Sequence, residues 1–521
     1  MGVIFKSHFI GNNMKNNVLI VGAGPTGLVL ALWLSKQGIP VRIIDKNTEP
    51  SQSSRALGIH ARTLELYQQL DLAEEVIQAG YPNVQLNLWA LGKKRGVLKL
   101  IEQGKTLTPY PFILIYPQDQ HERLLMRHLE KFGVHVERSS ELISFTHHAD
   151  HIGAEIRTPQ GVEHYSARFL GACDGGKSPI RHLLGLKFPG GTYSKLFYVA
   201  DVNVQGASID GGVHVSLDRE DFVLLFSYGQ LGQARLIGLI REDRIQSGQN
   251  LSFDDVTHTA IQDLGLTIQK VNWFSTYRVH HRIVSDYRIG NVFLVGDAAH
   301  LHSPAGAQGM NTGIGDAINL AWKLAAVIKN QASEQLLESY QIERRAFAEK
   351  LVKSTDRIFS LITAEGALAA EIRTKIAPYL LPKIYNNAPL SHFIFRIISQ
   401  LGIHYRQSPL SQGKSGKIHA GDRLPWIQQV KSNNFESLKQ ILWQIHVYGT
   451  AQSELQTWCD KHNLPLSEFV WDANCKKVGL LENAVYLIRP DTYIALIDPQ
   501  ANIDTLQQYF QKIQLKYPEE N

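Results

Sequence analysis

Glycines and acids recur together at three places in the chain, in spacings that suit a ligand carrying phosphates and ribose hydroxyls. The first is NVLIVGAGPTGLVLALWLSKQGIPVRIIDK, residues 17–46. An apolar run from Val18 to Val21 precedes Gly22, Gly24 and Gly27. A helical pattern and a second apolar run then end in Asp45, 23 residues after Gly22. This predicts strand, tight turn, helix and strand, with the acid closing the second strand. Gly22 turns the chain sharply, Gly24 lets backbone approach a pyrophosphate, and Gly27 lets the helix lie against the strand. The helix start offers unpaired amides and the positive end of a dipole to phosphate. Asp45, followed by Lys46, accepts hydrogen bonds from ribose hydroxyls. The stretch predicts a dinucleotide site and leaves open which dinucleotide.

The second place is RFLGACDGGKSPIRHLLGL, residues 168–186. A small-residue strand ends at Asp174-Gly175, and Ser178-Pro179 opens a helix with proline in its first turn. An acid at a strand's carboxyl end beside a helix N-terminus is where ligands sit in open α/β sheets. The third is RIGNVFLVGDAAHLHSPAGAQGMNTGIGDAINLAWKLAAVIKN, residues 288–330. Val292 to Val295 reads as a buried strand ending in Gly296-Asp297, and Asp297 suits ribityl hydroxyls. The turn from Pro304 to Gly309 leads into a helix expected from about Asn311 to Lys329. Its start presents amides and about half a positive charge. That suits a flavin ring whose pyrimidine edge becomes anionic on reduction. Pro304, Gly306 and Gly309 belong to this turn, and Met310 and Asn311 follow it at the start of the helix.

Single residues between these places are weaker signals. Arg55, on a loop emerging near the first turn, has the planar donor to clamp a pyrophosphate; Arg62 follows on a predicted helix. Gln118 opens a helix running to Phe132 and either holds a ribose or ribityl hydroxyl or merely caps. His280, His281, His300 and His302 have no acid or cysteine at a usual metal-ligand spacing.

The elements that must position these residues alternate. Asn83 to Leu100 reads as a hairpin around Gly92-Lys-Lys-Arg-Gly96, and residues 194–285 carry strand patterns suited to a mostly antiparallel sheet. His214, Tyr228, Arg235, Trp273 and Tyr277 are candidates to line a pocket on that sheet. The helix expected over Leu336 to Ile362 carries Glu338, Glu343, Arg344 and Arg345 as exposed pairs. SPLSQGKSG, residues 408–416, is the best linker pattern in the chain. After it come strand and helix signals, a hairpin around Pro490-Asp491, and a last helix over Ile503 to Ile513.

At 521 residues, two or three domains are expected. A composition of 44% hydrophobic and 19% charged residues is that of a globular protein, and a net charge of +5 argues against a nucleic-acid partner. Three scattered cysteines form no CxxC, which fits a reducing cytoplasm. No apolar run approaches the ~20 residues that span a bilayer. Residues 1–16 read as a disordered lead-in.

GAGPTG with Asp45, CDGGKSPIR and GDAAHLHSPAGAQGMNTGIGDAINLAWKL together resemble the fingerprints of the single-component, FAD-dependent aromatic hydroxylases related to 4-hydroxybenzoate hydroxylase. SSRALGIHARTLEL and LESYQIERR resemble the phenol and polyketide hydroxylase subgroup, and the tail from His419 resembles its thioredoxin-like domain. The WxWxIP stretch of halogenases of this fold is absent. Ala307 stands where many members have glycine. The resemblance implies an α/β fold: a Rossmann-like FAD-binding domain (17–82, 111–190 and 286–365) interleaved with an antiparallel substrate sheet (83–110 and 191–285), a helical segment (366–410) and a thioredoxin-like domain (417–521) that lacks CxxC. It implies that Gly22, Gly24, Gly27, Asp45, Arg55, Gln118, Asp174, Asp297 and the loop Pro304 to Asn311 contact FAD. NADPH or NADH would reduce the flavin, O2 would form a C4a-hydroperoxide, and a small aromatic substrate would be hydroxylated. The resemblance also allows a homodimer. Two other readings are a hydroxylase of a membrane quinone precursor and an FAD-binding sensor or scaffold.

Overall fold

The computed structural model describes residues 18–50, 56–206, 212–218, 221–228, 232–240, 251–256, 258–303, 306–362, 364, 366–385, 387–429 and 433–517. The lead-in at residues 1–16, Arg55 and Pro304 lie outside the described residues.

The centre is a six-stranded sheet. β1 (Val18–Val21) pairs in parallel with β2 (Val41–Ile44) on one side and β3 (Phe169–Ala172) on the other. β3 pairs in parallel with β4 (Val292–Leu294). Short strands Val136–Glu137 and Arg288–Ile289 form the edges. β1, β3 and β4 are buried throughout, which explains their unbroken apolar runs, since helices cover both faces of such a sheet. α1 (Pro25–Lys36) is buried from Gly27 to Leu34 and packs against α2 (Gln308–Ile328).

A second sheet has eight strands in the spatial order His300–Leu301, Leu266–Ile283, Gly190–Gly206, Gln233–Ile240, Phe222–Ser227, Val213–Leu217, Gln85–Ala90 and Lys93–Lys99. Its pairings are antiparallel except where Val213–Leu217 meets Gln85–Ala90. The early hairpin and the later strands thus form one surface. The hairpin turns at Leu91 and Gly92, both at positive φ (51° and 70°), as a two-residue turn matched to strand twist requires. Lys93, Lys94 and Arg95 therefore belong to a strand and not to the turn, a correction to the sequence reading.

The last region holds β5 (Gln444–Tyr448), β6 (Leu466–Phe469), β7 (Val485–Ile488) and β8 (Ile494–Asp498) in the order β6-β5-β7-β8. β5 is parallel to β6 and antiparallel to β7; β7 and β8 are antiparallel. Residues 408–416 are not a free tether. Ser408 and Leu410 are buried, and the Gln412 amide donates to Ala495 O at 2.9 Å.

α3 (Glu338–Ile362) departs from expectation at two residues. Glu338 and Arg345 make exposed pairs, with Arg288 and Glu349. Glu343 and Arg344 are buried, because the C-terminal region covers that face of the helix. Glu343 accepts from Arg489 at 2.6 and 2.9 Å, Lys323 at 2.8 Å, Asn319 at 2.7 Å and Ser408 at 2.6 Å. Burial alone would raise its pKa; Arg489 and Lys323 outweigh that and hold it well below the usual range. Burial pushes Lys323 down to about 8, although Glu343 works against the shift.

Candidate functional site

Register places the three glycine–acid turns together. Ile44 pairs with Val21, Val21 with Ala172, and Ala172 with Leu294, so the carboxyl ends of β2, β1, β3 and β4 stand level. The residues just beyond them are Asp45, Gly22, Asp174 and Gly296-Asp297. Places distant in sequence thus share one edge of a parallel sheet, where such sheets bind ligands.

The first turn is built by close approach. Gly22 sits at φ +103°, and a Cβ there would lie 2.3 Å from Cys173 O; one on Gly27 would lie 2.0 Å from Gly22 O. Those two glycines are required by the protein itself. Gly24 is different: its φ is −75° and a Cβ would meet nothing within 4 Å. The open space beside it fits a ligand pyrophosphate lying against the start of α1. Asp45 Oδ2 accepts from the Ala23 amide at 2.8 Å and Oδ1 from the Asn47 amide at 2.8 Å. The carboxylate thereby fixes the turn and keeps lone pairs for ribose hydroxyls. Lys46 is exposed next to it.

At the second turn, Asp174 Oδ2 accepts from Ser178 Oγ at 2.8 Å and the Ile180 amide at 3.1 Å. Its Oδ1 is buried and has no partner among the described residues. Burial raises this carboxyl's pKa, with the two hydrogen bonds acting against the rise. A buried acceptor left open is what a ligand hydroxyl would satisfy. At the third turn, Gly296 is at φ +64°, and a Cβ there would come 2.9 Å from Thr26 Oγ1; one on Gly313 would come 2.4 Å from the same atom. The turn, α1 and α2 therefore meet at Thr26. Asp297 is exposed on that turn.

Residues 15–355 match the family described as FAD binding domain. The chain belongs to that family. It is 30% identical to 6-methylpretetramide 4-monooxygenase of Streptomyces rimosus, over 96% of this chain and 93% of that protein. It is 32% identical to pentachlorophenol 4-monooxygenase of Sphingobium chlorophenolicum, over 80% and 76% of the two chains. The structure of OxyS anhydrotetracycline hydroxylase from Streptomyces rimosus is similar at a TM-score of 0.77 and 26% identity, covering 97% of this chain and all of that one. The resemblance read from the fingerprints is met, and FAD is the dinucleotide.

In this FAD-binding protein α2 starts at Gln308, three residues before the sequence reading placed it. Its N-cap is Ala307 in left-handed conformation at φ 54°, without a capping side chain, so no cap residue announced the start. The amides of Gln308, Gly309 and Met310 have no carbonyl within the helix to bond. Asn311 is 1% exposed, and its side chain is spent inside the protein. It accepts from the His60 amide at 2.9 Å and Thr63 Oγ1 at 2.8 Å, and donates to Gly58 O at 2.9 Å and Ala307 O at 3.1 Å. Asn311 thus locks the turn. Gln118 likewise accepts from the Ala56 amide at 3.1 Å and donates to Glu122 at 2.8 Å, pinning the chain next to Arg55.

Two residues under the turn were read in the sequence only as metal candidates or not at all. Asp316 accepts from the Gly296 amide at 3.1 Å, His300 at 2.7 Å and Arg344 at 2.5 Å, tying the third turn to α2 and α3. Burial would raise its pKa, but Arg344 and His300 carry it below the usual range. His302 donates from Nδ1 to Ser303 O at 2.8 Å. Its Nε2 is buried without a partner among the described residues, 3.8 Å from where a Gly309 Cβ would stand. Burial pushes this imidazole down to about 4, so it is neutral with a lone pair on Nε2. Sequence alone carries no signal for either role.

The sheet meets the turn through apolar residues. A Cβ on Gly58 would be 3.1 Å from the Ala307 Cβ and 3.5 Å from Ile113. Ile113 packs with Leu57, Val213, Phe226 and Tyr228. Of the sheet's polar candidates, Arg235 is buried and bidentate on Asp201 at 2.7 Å through both Nε and Nη2, and Tyr228 donates to the same carboxylate at 3.0 Å. Buried His214 accepts from Trp89 Nε1 at 2.9 Å. Trp273 and Tyr277 are half-buried on the facing strand.

Proposed function

We propose that the protein is an FAD-dependent monooxygenase that hydroxylates a phenolic or polycyclic aromatic substrate, with NADPH or NADH as electron donor and O2 as co-substrate, in the cytoplasm. The observation that carries this reading is the level alignment of the three glycine–acid turns, the third of which leads into α2. The names of the relatives along nearly the whole chain support the substrate class.

Bound FAD supplies hydride acceptance and oxygen activation. The chain's own residues bind, orient and dry the site. Gly24 admits the pyrophosphate to the α1 amides, Arg55 clamps it, and Asp45 with Lys46 takes the adenosine end. Asp174 Oδ1 and Asp297 would accept from ribityl or ribose hydroxyls, and Gln118 holds Ala56 through its amide. The amides of Gln308, Gly309 and Met310 would stabilise negative charge on a bound ring. Gly306 and Gly309 would keep the turn open to the ring's reactive edge. The apolar wall around Ile113, Phe226 and Tyr228 excludes water. His302 Nε2 accepts the hydrogen bond of a substrate hydroxyl, drawing density onto the aromatic ring. Arg235, Tyr228 and His214 stiffen the sheet that forms the pocket wall.

The βαβ–ββα strand order of the tail, with β5 parallel to β6 and the β7–β8 hairpin antiparallel, supports the thioredoxin-like reading of residues 417–521. Without CxxC its role is structural. The test is turnover by purified full-length protein. FAD absorbance, NADPH or NADH oxidation accelerated by a phenol, 2-naphthol or a tetracyclic phenol, and a product heavier by one oxygen are expected. FAD-loaded protein whose donor oxidation no aromatic accelerates would overturn the hydroxylase reading.

A further inference from the structure

The helices after α3 leave an apolar face uncovered. Ala367–Glu371 and a π-helical turn, Ile372–Ile376, lead into α4 (Ala377–Tyr385) and α5 (Ala388–Ile398). α4 lies on the strand Lys93–Lys99 so closely that a Cβ on Gly96 would come 2.2 Å from Pro382. α5 packs on the short helix Leu100–Gly104, with Phe395 against Gly104. Inward residues such as Pro378, Tyr385 and Phe395 are buried. The outward side, where a solvated helix would be polar, is apolar. Leu368 is 76% exposed and Ile372, Ile376 and Leu380 are exposed at four-residue spacing; Phe393 is 61% exposed on α5. Contiguous exposure of this kind marks an interaction surface.

Cations border this face. Residues 366–398 hold four basic residues against Glu371 alone, and residues 91–99 hold four against none. Together they carry +7 while the whole chain carries +5, so the rest of the protein is net acidic. The Arg95 guanidinium lies 5.5 Å above the Tyr379 ring, which joins strand and helix into one patch.

We propose that this face, the helices of residues 367–398 with the strand Lys93–Lys99, docks on an anionic lipid surface. Apolar side chains enter the acyl boundary while lysines and arginines meet the headgroups. A second copy of the chain fits less well, because two-fold pairing of the face with itself sets like charges opposite one another. Among the described residues no helix is long and apolar enough to cross a membrane, so the contact is peripheral. The inference stands on this face alone and is independent of the flavin chemistry.

Full-length FAD-loaded protein is sedimented with vesicles of phosphatidylcholine alone and of phosphatidylcholine with an equal part of phosphatidylglycerol. Binding to the anionic vesicles is expected, with Lys94→Ala and Lys383→Ala each weakening partition roughly fivefold. Leu380→Ser combined with Phe393→Ser abolishes it. Flavin absorbance checks that each variant is folded; if one loses flavin, Ile376→Ser on the same stripe replaces it. Equal binding to both vesicle types, or none to either, overturns the proposal. So does a dimer that Phe393→Ser dissociates in the absence of vesicle binding, a result that gives the face to a second copy.

Discussion

Gly24 and Gly27 are glycines for different reasons, and a methyl group separates them. At Gly27 the added carbon falls 2.0 Å from the Gly22 carbonyl oxygen, so backbone must move. Overpacking of that kind costs about 1–3 kcal/mol or more in the protein without cofactor. At Gly24 the added carbon meets nothing within 4 Å, and φ of −75° suits any residue. Gly24→Ala therefore costs the apoprotein only the change in cap preference, about 0.5–1 kcal/mol. With a pyrophosphate against Gly24, the methyl pushes it off the α1 amides. Two hydrogen bonds to a charged group, at about 1.5–3 kcal/mol each, amount to roughly 3–6 kcal/mol. FAD affinity then falls by about 10²- to 10⁴-fold. The assay is FAD Kd from quenching of flavin fluorescence on titrating apoprotein, beside the urea midpoint of each apoprotein. Gly24→Ala should lose FAD while its midpoint falls by no more than that small cap cost, and Gly27→Ala should lower the midpoint further. Wild-type FAD affinity in Gly24→Ala, or loss of FAD only in step with apoprotein stability, would refute the placement of the pyrophosphate.

His302→Phe keeps the ring and removes the Nε2 acceptor. Coupled hydroxylation should fall on the order of 10²-fold while FAD affinity stays at the wild-type value; an unchanged coupled rate sinks the role assigned to Nε2. Glu343→Leu strips Arg489 and Lys323 of their shared acceptor, and a broken buried pair costs about 3–5 kcal/mol in urea unfolding. A loss of only about 1 kcal/mol, the range of surface pairs, would refute its burial. Lys323 gives this cluster a pH signature. Its folded pKa of about 8 lies below the ordinary 10.5, so the unfolded chain binds the extra proton between those values. Stability from this group is therefore lowest below about 8 and rises as pH climbs towards 10.5. Urea midpoints of wild type minus Lys323→Met should rise across that window, and a flat difference contradicts the shift.

The turns were legible because close approach of the chain to itself dictates residue type within a few positions. Gly22 and Gly27 are forced by backbone contacts of 2.3 and 2.0 Å, and Gly296 by a positive φ of 64° with Thr26 Oγ1 2.9 Å from where a Cβ would stand. The strand ends were legible because each buried apolar run stops at a glycine or an acid within two residues of the strand's end. Glu343 and Arg344 were misread because helix spacing says only which charges share a face. Their burial is decided by Arg489, 146 residues further on, and by Asp316 and Tyr405. The side-chain bonds of Asn311 were not legible for a related reason, its partners His60 and Thr63 lying some 250 residues earlier in the chain, with sequence separations of 251 and 248.

These long-range partners bear on the tail's role. Arg62 donates to Asp491 O at 2.8 Å and Gln69 to Pro490 O at 2.8 Å, so the β7–β8 turn is seated on the cofactor region. Arg489 bridges Glu343 of α3 and Asp491, and Glu343 in turn holds Lys323 of α2. Without residues beyond 417, the Glu343–Lys323 pair loses its second cation and Arg62 loses a carbonyl. Arg489 and Asp491 leave together, so the buried Glu343–Lys323 pair stays balanced in charge but loses hydrogen bonds and the protein that covers it. The C-terminal sheet therefore completes the hydrogen bonding and burial of the Glu343 cluster, a role for the tail that needs no cysteine pair.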